Sequence, residues 1–486
     1  DAWYLLGQAH RAAGRWADAE AAYRKALALQ PGFAFAQRDL AQVLAQTGRG
    51  EAALEALEPA MATLAGDAGA WHLRGNLQFA LRRFESAAQS YERAVALHPG
   101  FVEAMSNRAV CLLKLGARVE AVSLFNDALQ LRPDYRGALY NLGVALLDLG
   151  RCSDAIDACD AALRIHPEDA DIHWNKATAH LLLGQFAQGW PEHEWRWKTN
   201  VLGQAPVRPA FNCPQWTGAE SVQGKTILLY PEQGLGDTVQ FLRYAPLLAA
   251  RGVRVLVQLP PVLEPLVHGW KDVELVREGD AVPRLDFFCT FLSLPMAFGT
   301  TLDSVPAQVP YLHSEPALRA AWESRLGAHR GLRVGLVWSG NAQHQNDANR
   351  SLPLAALAAQ APSGVQWVSL QKEIREGDRA ALSAWPALLH FGDQLHTFAD
   401  SAALADCMDV VISVDTSMAH VAGALGKRLW LMLPFRPDWR WMLVRTDSPW
   451  YPTAQLFRQD GQRDWEAVLA RVMAALRDEV SRESGT

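Results

Sequence analysis

Cysteine is scarce and scattered. The six in the chain (Cys111, Cys152, Cys159, Cys213, Cys289 and Cys407) form no C-x-x-C pair. That excludes a disulfide framework or a zinc ribbon and fits a reducing compartment, so the expected location is cytoplasmic. Long apolar runs are missing as well. None approaches the ~18 residues that a transmembrane helix needs, so no transmembrane segment is expected. Neither sign of charge dominates: 46 basic against 52 acidic residues leave a formal charge of −6. Over this length so small an excess argues against wholesale binding to nucleic acid or to a membrane surface. What remains is ordinary folded material, 50% hydrophobic and 20% charged over 486 residues, enough for about three domains. The sequence opens on Asp1 without an initiator Met or a signal-peptide pattern, and the expectation is a trimmed chain.

What is present first is a repeat. Pro31, Pro99, Pro133 and Pro167 share one grid of 34 residues, with Ala65 at the remaining point. Gly7, Ala41, Gly75, Ala109, Gly143 and Ala177 form a small-residue column on the same step, where one helix passes close to another. Gly14, Gly48, Gly116, Gly150 and Gly184 mark the turn inside each unit, and Ala26, Ala94, Ala128 and Ala162 form a second small column. Tyr23, Tyr91 and Phe125 supply a bulky knob three residues before that column. Period, small pairs, aromatic and closing Pro together resemble the tetratricopeptide repeat. About five units fit residues 1–169, and a sixth decays after Gly184, so the array is expected to run over 1–198 as an all-α superhelix. Asn107, Asn141 and Asn175, again on the 34-residue step, are candidate acceptor-binding residues. Repeated amides of this kind suit a clamp on the backbone of an extended protein or peptide, and they equally suit capping between repeats.

The period then changes. Residues 199–222, with Pro206, Pro209, Pro214 and Gly218, are expected to be a surface linker. From Thr226, β-rich runs alternate with helical stretches. Strands are expected at 227–230, 253–259, 273–276 and 286–291, and after a proline-rich break at 334–338, 365–370, 410–414, 429–433 and 455–457. Such alternation predicts an α/β architecture of two Rossmann-like domains with a cleft between them, at 223–315 and 316–486, the second closed by an amphipathic helix. Ligands in such sheets bind at the carboxyl ends of strands, which directs attention to three loops.

The first loop, Tyr230 to Thr238, holds Gly234, Gly236 and Asp237, with Asp237 at the start of a helix. The second runs from Asp415 through Thr416 and Ser417 to His420, where a helix N-terminus with two hydroxyls suits phosphate. The third, Trp338 to Pro353, carries Asn341, His344, Asp347 and Arg350. Each position also suits plain helix capping or loop solvation. His344 and Asp347 have loose metal-ligand spacing without a third ligand nearby, and no metal site is expected.

These three elements, in this order on paired Rossmann domains, resemble the heptosyltransferase-like (family 9) GT-B glycosyltransferases over residues 224–480. The architecture is also similar to that of the O-linked N-acetylglucosamine transferases, whose particular motifs are not present. The resemblance implies inverting, metal-independent transfer of a sugar from a nucleotide diphosphate donor, with that sugar nucleotide as co-substrate and no other cofactor. It implies an acceptor-binding first Rossmann domain and a donor-binding second one. It makes Asp237 the candidate base, with Glu232 as rival, and places Asp415, Thr416 and His420 around the diphosphate. Where many heptosyltransferases carry Lys this chain has Arg350, so ADP-heptose is not assumed. Gly234, Gly236, Asn341, Ser417 and Gln371 complete the expected donor contacts. Trp439 and Trp441 suit either cleft lining or core packing. The alternative function is a repeat adaptor whose degenerate GT-B half only holds a ligand.

Overall fold

A computed structural model describes residues 1–199, 211–277, 279–328, 331–344 and 346–484. The chain divides into two compact units, Asp1–Lys176 and Ala177–Thr486.

The first unit is a helical repeat array. Its helices pair as Ala2–Ala12 with Trp16–Leu29, Ala34–Gln46 with Gly50–Leu57, and Ala68–Ala80 with Phe84–Leu97. Val102–Lys114 with Arg118–Leu131 and Arg136–Asp148 with Cys152–Ile165 follow. The small column and the aromatic knob meet directly. A Cβ at Gly75 would lie 2.6 Å from the Tyr91 ring, and one at Gly7 would lie 2.5 Å from Tyr23. The missing side chain at one position is therefore the seat for a ring sixteen residues later. The turn column has a mechanical cause too: Gly14, Gly48, Gly116 and Gly150 all adopt positive φ, between +70° and +85°. The same grid point in the third repeat is Arg82, at φ 58°. A left-handed conformation costs a residue with a Cβ about 1–2 kcal/mol, part of which glycine returns as chain entropy in the unfolded state. Arg82→Gly is expected to stabilise the array by about 0.5–1 kcal/mol, read as a raised midpoint in urea with an unchanged m-value.

The array is expected to run to 198, and this division falls before that, inside the helix Ala170–Leu182. Ala177 onward belongs to the second unit, and the chemistry of the decayed repeat explains it. Phe186, Trp190, His193 and Arg196 are buried within that unit, and Trp190 donates its indole N–H to the carbonyl of Thr300 at 2.8 Å. Of the expected linker, 200–210 lies outside the described residues. Its remainder is no free surface strap: Trp216 is buried, its N–H bonds the Phe288 carbonyl at 2.8 Å, and Phe288 N–H returns to Pro214 at 3.1 Å.

The second unit contains two all-parallel sheets. The smaller comprises β1 Thr226–Tyr230, β2 Arg254–Gln258, β3 Val273–Val276 and β4 Phe287–Thr290, in the order β3-β2-β1-β4. The larger comprises β5 Leu332–Val337, β6 Val365–Ser369, β7 Leu388–His390, β8 Val410–Val414, β9 Arg428–Leu433 and β10 Ala454–Arg458, in the order β10-β9-β8-β5-β6-β7. Numbered from its own first strand, the larger sheet reads 3-2-1-4-5-6, the doubly wound dinucleotide-fold order. β8 is buried along its whole length, as a central strand covered on both faces must be. The closing helix, Trp465–Ser484, buries Val468, Leu469, Val472, Met473 and Leu476 against this sheet, a spacing that makes one apolar stripe.

The two sheets' lobes are joined by an aromatic seam. Trp439 lies 5.3 Å from Trp190 and 6.4 Å from Trp450, and Phe241 lies 5.7 Å from Trp450, ring centre to ring centre. Arg243 is sealed into it, donating to the carbonyls of Trp450 at 2.6 Å and Pro306 at 3.1 Å.

Candidate functional site at the switch point of the larger sheet

In the larger sheet the chain leaves β5 toward one edge and β8 toward the other. A crevice opens where neighbouring strands diverge in this way, and there the second and third loops meet. Arg350 donates Nη1 to the carbonyl of Asp415 at 2.8 Å, spanning from the β5 loop to the end of β8. It can do so because Gly340 has no side chain; a Cβ there would lie 2.6 Å from Nη2 of Arg350. Asp347 and Ser351 hold the loop in place. Ser351 Oγ donates to Asp347 at 2.7 Å and accepts the Gly340 N–H at 3.1 Å. Arg375, which the sequence reading passed over, ties the same loop by donating to Asp347 at 2.6 Å and to the Gly340 carbonyl at 2.7 Å.

Three polar atoms at this point have no hydrogen-bond partner although they are shielded from solvent: Ser339 Oγ, Arg350 Nε and Gln371 Oε1. Gln371 is held beside Ser339 by its own amide, which donates to the Ser339 carbonyl at 3.0 Å. Buried polar groups are nearly always bonded, and here the chain itself supplies no partner to these three atoms. Asn341 does not join it: exposed, it accepts the Gln343 N–H at 2.9 Å and so shapes the loop.

Thr416 precedes the Ser417–Ala424 helix, and its Oγ1 lies 3.3 Å from Ser413 Oγ. Burial and the nearby Asp438 carboxylate push the Asp415 carboxyl up to about 6, against the pull of Arg350, the Trp441 indole and Arg440. A folded-state pKa above the unfolded one contributes stability that is complete below pH ~4 and is lost as pH rises through 6. Asp415→Asn is therefore expected to raise the melting temperature at pH 7.5, by on the order of 2 kcal/mol of stability, and to change little at pH 4. Parallel melts of the two proteins across pH 4–8 check it.

His420, expected beside the diphosphate, is packed as a brace between neighbouring side chains. Only 4% exposed, its Nδ1 is paired with the Tyr451 hydroxyl at 2.9 Å and its ring stacks on Trp441. Burial and the neighbouring Arg440 and Arg243 hold it well below the usual imidazole range, hence neutral. It also seats the first loop, since a Cβ at Gly236 would meet the His420 ring at 2.8 Å and Ser417 Cα at 3.4 Å. The Gly-x-Gly-Asp loop of the smaller lobe is thereby pressed onto the first turn of the Ser417–Ala424 helix in the larger one.

Asp237 is the third residue of the Leu235–Phe241 helix. Its Oδ2 accepts the Gly234 N–H at 2.9 Å, which is a capping role, and its Oδ1 is paired with Arg440. Burial raises its pKa above the ordinary carboxylate range, offset by Arg440 and raised further by Asp438. Glu232 is a poor rival. Its side chain is 2% exposed and receives a fork from Arg196, Nε to Oε1 and Nη2 to Oε2, each at 3.1 Å. Trp439 and Trp441 are packed in the seam, at 7% and 0% exposure.

The candidate amides of the array are all in use. Asn175, 4% exposed, donates to the Tyr140 carbonyl of the preceding repeat at 3.2 Å. Asn141 donates to Gly137 in its own helix at 2.8 Å, and Asn107 contacts His72 at 3.1 Å and Asn76 at 3.2 Å. Two of the three thus link adjacent repeats, which is the capping arrangement. Among the described residues no group of three or more His, Cys, Asp or Glu is placed to hold a metal ion. Among them, too, no helix is long and apolar enough to cross a membrane.

Comparison with known proteins identifies the first unit. Residues 1–33, 72–136 and 116–173 match models of the tetratricopeptide repeat. The chain is 28% identical over 330 residues to Protein FlbA of Caulobacter vibrioides, covering 61% of this chain and 53% of that protein. It therefore spans about half the length of the curated relative it matches. Among solved structures it is similar to PilF of Pseudomonas aeruginosa, with 20% identity and a TM-score of 0.36 over 42% of this chain and 90% of that one. It is similar also to YrrB, described as a tetratricopeptide protein with an unusual peptide-binding site, with 18% identity and a TM-score of 0.32 over 36% and 89%.

Proposed function

We propose that the α/β unit is a GT-B glycosyltransferase module. It takes a nucleoside-diphosphate sugar at the switch point of the larger sheet and transfers the sugar to a protein or glycan acceptor that the tetratricopeptide array helps to hold. The observation that carries this reading is the convergence of Ser339 Oγ, Arg350 Nε and Gln371 Oε1, buried and unbonded, at the carboxyl end of β5. Arg350 and the amides at the start of the Ser417–Ala424 helix supply positive charge for a departing diphosphate. Asp237, in the other lobe, supplies the carboxylate that an inverting transfer needs opposite the leaving group. In that step the acceptor oxygen forms the new glycosidic bond, the anomeric carbon–phosphate oxygen bond breaks, and the acceptor's proton passes to Asp237.

The test is a calorimetric titration with UDP, GDP, ADP, CMP and TDP. One of the diphosphates should bind, and at 100 times its Kd it should stabilise the unit by about 2.7 kcal/mol. Arg350→Ala is expected to weaken that binding at least ~10-fold, the loss of one charge-assisted contact, while Cys152→Ala in the array leaves it unchanged. Equal affinity of the Arg350 variant would overturn the assignment.

A second reading is favoured by one observation, that both oxygens of Asp237 are engaged. In it, the unit holds the nucleotide without turning it over and the chain acts as a repeat adaptor. Binding of the nucleotide sugar with no release of sugar over hours, with or without acceptor, would decide for it.

A further inference from the structure

Arg440 is buried to 7% exposure and bonded on three sides. Its Nε donates to Gln240 Oε1 at 2.6 Å, its Nη1 to Asp438 Oδ1 at 2.8 Å, and its Nη2 to Asp237 Oδ1. Trp439 lies under the guanidinium, 4.2 Å from ring centre, and fixes its plane. The contacts therefore differ in what they serve. Asp438 and Trp439 belong to Arg440's own segment and hold it in place, whereas Asp237 and Gln240 reach it from the smaller lobe.

Both oxygens of Asp237 are already engaged, Oδ2 by the Gly234 N–H and Oδ1 by Arg440, which makes each a weaker acceptor for an incoming hydroxyl. Gln240 is fully buried, and its Nε2 has no acceptor although its Oε1 is held by Arg440. The cluster thus has one buried donor too many beside the guanidinium. An anion's oxygen would satisfy it. The N-terminus of the Ser417–Ala424 helix is one residue away from Asp237 in contact terms, through Gly236 against Ser417.

Resting on the reading of this crevice as a diphosphate site, we propose that Arg440 is an exchange latch. Its Nη2 is held by Asp237 until a diphosphate docks at the Ser417 helix, takes over that donor together with Gln240 Nε2, and leaves Asp237 Oδ1 free to accept the acceptor's proton. Arg440 is then a positioning residue for the base and links donor occupancy to base availability. A sugar nucleotide in place is the condition under which the carboxylate becomes competent, which guards against proton transfer before the donor has bound.

The experiment is a calorimetric titration of pyrophosphate, and separately of UDP, GDP and ADP, into the whole chain and its Asp237→Asn, Arg440→Ala, Arg440→Lys and Asp237→Asn/Arg440→Ala variants, with folding checked by circular dichroism. Removing the competitor in Asp237→Asn should tighten binding ~3- to 10-fold. Arg440→Ala should weaken it at least ~10-fold and abolish the gain in the double variant, with Arg440→Lys between. A merely structural pair would lower melting temperatures without this crossed pattern. Asp237→Asn that binds no better, or Arg440→Ala that binds equally, overturns the latch. If a nucleoside diphosphate binds but is indifferent to Arg440, the latch fails and the donor reading stands. If pyrophosphate shows the pattern and no nucleotide binds more tightly than it does, the latch stands and the donor reading fails. If nothing binds, both fall.

Discussion

On the proposed glycosyl transfer, Asp237→Asn is expected to lower turnover at least ~10²-fold, the usual worth of a positioned general base. The amide keeps the size of the side chain and an oxygen to accept the Gly234 N–H, so the helix start survives. What it loses is the proton acceptor and the charge paired with Arg440. Burial holds the Asp237 carboxyl above the ordinary range, which makes it a stronger proton acceptor once its partner moves away. Single-turnover measurements separate the chemical step from binding. A variant that turns over normally would place the base elsewhere, and Glu232 is not the obvious heir given its burial against Arg196. Donor hydrolysis without acceptor is a usable assay until the acceptor is known.

Breaking the Arg196–Glu232 pair should have the largest effect on stability. Arg196 is fully buried and serves Glu232, Glu194 at 2.5 Å, Ser293 Oγ at 2.7 Å and Thr290 Oγ1 at 3.2 Å. The network lies where β1 and β4 end, and Glu232 is part of the same loop as Asp237. Burial pushes Glu232 upward against the pull of Arg196, so the pair stands on a balance of large opposing terms. Glu232→Ala leaves a guanidinium buried with a single remaining carboxylate, and the expected loss is about 3–5 kcal/mol. The same removal together with Arg196→Met should recover much of that loss, because an apolar pair of similar volume carries no desolvation penalty. Chemical denaturation of both variants checks the contrast. A double variant as unstable as Glu232→Ala alone would mean that the loop depends on the charges themselves.

The features legible in the sequence were those written in local period. Gly7, Gly75 and their Tyr partners advertise helix pairs by identity and spacing, and nine strands stand out as β-rich runs. The tenth, β7, has only three residues, Leu388–His390, too few for a pattern, and it forms because it lies at the open edge of β6. Arg82 was missed in the turn column because the column was sought as glycine, whereas the fold imposes a backbone angle there. The site was half legible. Arg350, Gln371 and Asp415 converge because they sit in loops after parallel strands, a place that strand order dictates. Arg440 and Arg375 lie in segments with no motif, and only packing brings them to the carboxylates. A hint was available in Trp439-Arg440-Trp441, a guanidinium flanked by two indoles in a chain region otherwise rich in Pro. Asn107, Asn141 and Asn175 are a regular pattern whose amides make contacts within the array itself.

The aromatic seam has a consequence for how such a module would exchange its ligands. Two-lobed proteins of this kind that open like jaws need a junction that is small or wet. Here Trp190, Trp439, Trp450 and Phe241 are buried together, and Arg243 pins the smaller lobe to the Trp450 carbonyl of the larger. Large buried aromatics each remove 150–250 Å² from water, so prying the lobes apart would expose several such surfaces at once. The lobes are therefore expected to keep their spacing. Heat should melt both sheets in a single cooperative transition.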